Sequence, residues 1–97
     1  MNNVEKKLVA LSKRMKERNH ILAIKAEFEA EGTRSDELLR LLAINSQSNL
    51  PLTLKIGGCE AINDIIFCVS LKVDGIVSPM VESEYGLKKF IQSIPKN

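Results

Sequence analysis

Three stretches of this 97-residue chain carry side chains suited to chemistry. The first runs Lys25-Ala-Glu-Phe-Glu-Ala-Glu31, where Lys25, Glu27, Glu29 and Glu31 alternate with Ala26, Phe28 and Ala30. A period of two is that of a β-strand, so the four charged groups would share one face. At the open end of such a strand a carboxylate can act as a general base or help hold a cation. Glu29 and Glu31, the last of the row, are the candidate catalytic residues. A structural reading stands beside this one. Buried charges require partners, and Lys25 and Lys55 could neutralise the glutamates without touching a substrate. Ala and Glu also favour helix, which keeps a helical form of the same stretch open.

The second stretch is Lys55-Ile-Gly57-Gly58, followed by a helix. Glycines let a ligand approach the backbone, helix N-terminal amides suit an anion, and a lysine beside them suits a carboxylate or phosphate. Lys55, Gly57 and Gly58 are therefore candidate substrate-binding residues, with the counter-ion role for Lys55 as the alternative. The third stretch is Pro79-Met-Val-Glu-Ser83. Met80 and Glu82 are further candidates there, although Met80 could be core and Glu82 a solvated first-turn acid. Ser83 reads as a helix cap. Cys59 and Cys68 are too far apart for a Cys-x-x-Cys pair and have no histidine nearby, so they read as reduced, partly buried thiols rather than metal ligands or a disulfide. No metal ligand is assigned.

The elements that must position these groups follow from periodicity. Asn2 to Asn19 reads as an amphipathic helix, with Val4, Leu8, Leu11 and Met15 on one face and a basic, solvated face opposite. From Ile21 the order is strand, helix, strand, helix, strand, helix. The strands fall at Ile21–Gly32, Pro51–Ile56 and Gly75–Pro79. The helices follow Thr33 or Ser35, run from Cys59 to Leu71, and start at Ser83-Glu84. Leu38, Leu39, Leu41, Leu42 and Ile44, then Ala61, Ile62, Ile65, Ile66 and Val69, then Leu87, Phe90 and Ile91, form their apolar stripes. Successive βα units cross over right-handed, so the strands should lie parallel and side by side in chain order. Ligands in such folds sit at the carboxyl ends of the strands. The fold class is α/β, a single partial (β/α)8 barrel over 1–97: an N-terminal helix (1–20), then three βα units (21–97). A full barrel takes about 250 residues.

Composition narrows the partners. Apolar residues make up 44% of the chain, enough for a core, and the net charge is only +2. No basic block interleaves with aromatics, so nucleic acid is not expected. No apolar run reaches the ~18 residues of a membrane span, and no signal-peptide centre is present, so no membrane partner and a cytoplasmic location are expected.

Leu54-Lys-Ile-Gly-Gly58 and Val73-Asp-Gly-Ile-Val-Ser-Pro-Met-Val-Glu-Ser83 resemble the middle of the HpcH/HpaI aldolase and citrate lyase β-subunit family, and Lys25–Arg34 resembles one of its sub-branches. The resemblance covers about Leu22 to Asn97. It implies a phosphoenolpyruvate/pyruvate-type TIM barrel that makes or cleaves a carbon–carbon bond of an oxoacid or acyl substrate. It also implies a pyruvate-like enolate held on a divalent metal, magnesium or manganese. Family members carry an arginine where this chain has Lys55, which keeps the charge and loses bidentate geometry. They carry a histidine where this chain reads Glu-Gly-Thr-Arg, and their metal-binding Glu and Asp lie on later strands. Two expectations follow. The chain is the N-terminal portion of such a lyase, holding no metal and inactive by itself; or it is a small non-catalytic α/β module that binds or builds by self-association. Exposed sheet edges make a homo-oligomer the expectation in the second case.

Overall fold

A computed structural model of the protein describes residues 1–28 and 34–95. Among them are four helices and three strands: α1 (Asn3–Asn19), β1 (Ile24–Glu27), α2 (Ser35–Ser48), β2 (Leu52–Lys55), α3 (Ile62–Leu71), β3 (Gly75–Val77) and α4 (Glu84–Ser93). The strands form one parallel sheet in the order β1-β2-β3. The α/β class, the parallel pairing and the chain-order sequence of strands agree with the periodicity.

Each helix has an identifiable start or stop. Asn2 caps α1, its Oδ1 accepting the Glu5 N–H at 2.8 Å, with Glu5 reaching back to complete a capping box. α1, α2 and α3 each close on a left-handed residue: His20, Asn49 and Lys72, with φ of 57°, 57° and 56°. Such residues turn the chain sharply toward the next strand and let the following N–H return to the helix, as Leu50 N–H does to the Asn45 carbonyl and Val73 N–H to that of Cys68. Asn adopts this conformation at lower cost than a lysine does. Lys72→Gly should therefore raise stability by about 0.5–1 kcal/mol, the left-handed penalty less the entropy glycine adds to the unfolded chain. The check is a urea unfolding midpoint, and a lowered midpoint would contradict the strain argument. Lys16 of α1 donates from Nζ to the Asn49 carbonyl at 2.8 Å, so one residue of the basic face covers the negative end of α2.

The core lies on one side of the sheet. Ala26, Leu52, Leu54 and Ile56 meet Leu38 of α2 and Ile65 and Cys68 of α3, all buried. The Phe28 and Phe67 rings lie 5.7 Å apart at its edge. Thr53 and Lys55 alternate to the opposite face, where they stay partly exposed. Gly75 is required by this alternation: a Cβ there would sit 2.9 Å from Thr53 Oγ1 of the neighbouring strand.

Several expectations need correction. β1 begins at Ile24 rather than Ile21, and Leu22 is 85% exposed. Its partner β2 starts only at Leu52, after a proline, so there is nothing for the earlier residues to pair with. Glu29, Ala30, Glu31, Gly32 and Thr33 lie outside the described residues. Arg34 occupies the N-cap position of α2 without a side-chain cap bond, and Ser35 is already helical. α3 starts at Ile62, because Gly58–Ala61 form a turn closed by the Ala61 N–H on the Gly58 carbonyl. The stripes are also rotated. Val9, not Val4, Leu8 or Leu11, is the buried residue of α1, and Leu39, Ile62, Ile66, Val69, Leu87 and Ile91 are exposed. α4 meets the body through Gly86, where an added Cβ would lie 3.4 Å from Cys59 Sγ, and through Phe90. That contact turns Leu87 and Ile91 outward. No helix among the described residues is long and apolar enough to cross a membrane.

Candidate functional site

The sheet register sets Glu27, Lys55 and Val77 side by side in one row at the carboxyl ends of the strands. Strand alternation puts all three side chains on the face away from the helices, together with Lys25. Glu27 is the centre of this group. Its side chain is only 13% exposed, and its Oε1 lies 2.9 Å from Lys25 Nζ and 3.8 Å from Lys55 Nζ. The hydrogen bond from Lys25 holds the Glu27 carboxyl below its ordinary range, against a smaller opposing effect of desolvation, and the two lysine charges add to the lowering. Glu27 is thus a committed anion, not a base poised to exchange a proton near neutrality.

The sign of the resulting pH dependence follows. A depressed carboxyl pKa stabilises the fold above its unfolded value, near 4.5, and that stabilisation is lost as pH falls through the folded value. Glu27→Gln should lower the urea midpoint at pH 7 slightly and should leave it unchanged well below the carboxylate range. Equal losses at both pH values would disprove the ion-pair account.

Lys55, on the central strand, holds Glu27 by the longer of the two contacts and is one-third exposed. Gly57 is engaged by the chain itself: its N–H donates to Asp64 Oδ2 at 2.9 Å. Asp64, in the first turn of α3, brings a carboxylate to the loop whose amides were read as an anion cradle, so a ligand anion there would have to displace it. Gly58 faces open space, with nothing within 4 Å of an added Cβ. Met80 is 83% exposed with φ 53°, which excludes the core reading for it. Glu82 is exposed as well, and Ser83 caps α4 by accepting the Gly86 N–H at 3.0 Å. The structure therefore brings Lys25, Glu27 and Lys55 together and leaves Met80 and Glu82 in solvent. The candidate catalytic pair, Glu29 and Glu31, lies outside the described residues.

Sequence reasoning missed Asp64 and Asp74, whose carboxylates hold backbone amides of Gly57 and Leu52. The signal was available: one is a first-turn acid after a glycine pair, the other an Asp-Gly turn.

The chain finds no match. Neither protein-family models, nor curated protein sequences, nor solved structures give a relative. Among the described residues no three His, Cys, Asp or Glu side chains gather into a group that could hold a metal. The one acid at the centre of the row is already tied to two lysines. What the row offers is a cation on the central strand at the mouth of a parallel sheet, beside an open glycine.

Both cysteines are free, Cys59 half-buried and Cys68 buried. Burial, with a smaller contribution from the Asp64 charge, pushes the Cys68 thiol up to about 11. A thiolate-selective alkylating reagent at pH 8 should label Cys59 and spare Cys68 until the chain is unfolded, and mass spectrometry of partially labelled protein reads this directly. Equal labelling of the two would show that the α3 core is open.

Proposed function

We propose that this chain supplies the carboxylate-binding part of a carbon–carbon lyase site of the aldolase/citrate lyase kind, built on a partial (β/α)8 barrel. The observation that carries the reading is the unequal pairing of Glu27: 2.9 Å to Lys25 and 3.8 Å to Lys55. An oxoacid or acyl substrate can take the looser ammonium, of Lys55, with its carboxylate while Glu27 keeps its nearer partner. Gly58 leaves room for the rest of a small substrate at the rim. In cleavage next to a carbonyl, the bonding electron pair moves onto the carbonyl oxygen as an enolate, and a fixed positive charge nearby lowers the energy of that charge. In this reading a base from the Glu29–Glu31 stretch takes the proton. Magnesium or manganese, where a metal-binding Glu and Asp are supplied, adds Lewis-acid stabilisation of the enolate. The chain alone binds the acid without turning it over.

The test is a titration of the protein with oxalate and with pyruvate, followed by amide chemical shifts. Saturable shifts at Lys55, Gly57 and Gly58 are expected. Lys55→Met should weaken binding at least about tenfold, the size of one charge-assisted contact, and Lys55→Arg should retain it. Binding that survives Lys55→Met, or no saturation at millimolar acid, sinks the proposal.

A second reading is favoured by a different observation, the apolar residues left exposed on α3 and α4. In that reading the chain is a non-catalytic module that acts by associating with itself.

A further inference from the structure

The molecule shows more surface than its mass accounts for. A compact monomer of 10.8 kDa has an accessible area of about 5,500 Å² and, at this length, a radius of gyration of about 12.5 Å. This chain has 6847 Å² and 14.6 Å, and its longest dimension is 44 Å against 28 and 27 Å. The excess, about 1,300 Å², exceeds the ~800 Å² that each partner contributes to an ordinary stable interface.

Part of the exposed apolar surface lies on β3 and α4, and the rest is spread over α1, Leu22, α2 and α3. β3 is an edge strand of sequence Gly75-Ile-Val77, with neither the charge nor the proline that usually blunts an edge. The other edge, β1, carries Lys25 and Glu27. Because Val77 turns its carbonyl to the Ile56 N–H, the alternation of a parallel ladder turns the N–H and C=O of Ile76 outward. Beside this edge runs a groove of ≈690 Å³, to which Ile76 of β3, Val69 of α3 and Ile94 after α4 contribute. On α4, Leu87 and Ile91 repeat at helical spacing and stay exposed at 46% and 55%.

We propose that a second copy of this chain docks on this flank, β3 pairing antiparallel with its twin about a two-fold axis at Ile76 and each copy covering Leu87 and Ile91 of the α4 helices. An edge strand is its own complement under a two-fold rotation, so the outward N–H and C=O of Ile76 find the same pair of groups on the other copy. The register this imposes sets Asp74 against Ser78 and Lys72 against Met80, so no like charges meet. The product is a continuous six-stranded sheet whose outer edges are the charged β1 strands. The proposal is independent of the oxoacid chemistry above, since Lys55 lies on β2 and the axis passes through β3.

Sedimentation velocity of the full chain, from low micromolar to about 0.5 mM, should show a species of twice the monomer mass. The double variant Leu87→Glu/Ile91→Glu changes only exposed positions, so its fold can be verified by circular dichroism. It should raise the dimer dissociation constant at least about tenfold, because it would bury unpaired carboxylates. Leu22→Glu, at the most exposed apolar residue outside this flank, should leave that constant unchanged. Exchange of the Ile76 amide should slow as the dimer forms. A chain that stays monomeric throughout, a dimer indifferent to the α4 glutamates, or one dissolved by Leu22→Glu would each overturn the assignment.

Discussion

Leu54→Ala should destabilise the protein by about 3–5 kcal/mol, the range for deleting a fully buried leucine whose surroundings cannot collapse into the gap. Leu54 has no exposed surface and sits on β2, the one strand of the sheet with neighbours on both sides, in register with Ala26 and Ile76. Backbone pairing to both neighbours pins the strand, so the void is not relieved by movement of β2. A domain of this length has a total stability of about 5–15 kcal/mol, and a chain with surplus exposed surface belongs near the lower bound. The variant should therefore unfold in little or no urea. The matched control is Leu39→Ala on α2, whose side chain is exposed and which should cost no more than about 0.5 kcal/mol. If the two substitutions shift the midpoint alike, β2 is not the centre of the core.

Removing the Asp74 carboxylate should be the next most costly change. Asp74 and Leu52 are bonded twice: Leu52 N–H donates to Asp74 Oδ2 at 2.8 Å, and Asp74 N–H donates to the Leu52 carbonyl at 2.9 Å. The first bond satisfies the amide of a completely buried residue at the start of the central strand. Asp74→Ala leaves that donor without its charged acceptor, and the expected loss is about 1.5–3 kcal/mol. Asp74→Asn keeps an oxygen in place and should recover roughly half. Comparing the two by chemical denaturation separates hydrogen bonding from simple truncation. Identical losses for Asn and Ala would show that the carboxylate's charge, not its acceptor geometry, holds the strand.

The alternation and the helical spacing make the layout legible in the sequence. Parallel strands in chain order follow from three βα units. What stayed hidden depended on a partner elsewhere in the chain. Leu22 has the composition of a strand residue, but the pairing of β1 starts only opposite Leu52. Leu87 and Ile91 have the spacing of a buried stripe, but the close approach at Gly86 turns the helix about its axis. At the candidate site, alternation offered Lys25 and Lys55 as partners of the glutamates, and the strand register decides that Lys55 meets Glu27. The carboxylate of Asp64 on Gly57 had its signal in a first-turn acid after a glycine pair, but such an acid is normally explained by the helix dipole and seldom by the loop before it.

Each strand bonds to the one next in chain order, from Ile24 against Leu52 to Thr53 against Gly75. No distant segment has to return before a layer can close. As the chain leaves the ribosome, β1, α2 and β2 can settle as a unit before β3 has been synthesised, and β3 then adds to a template already formed. Maturation of this protein can thus proceed by accretion, each strand adding to the one made just before it.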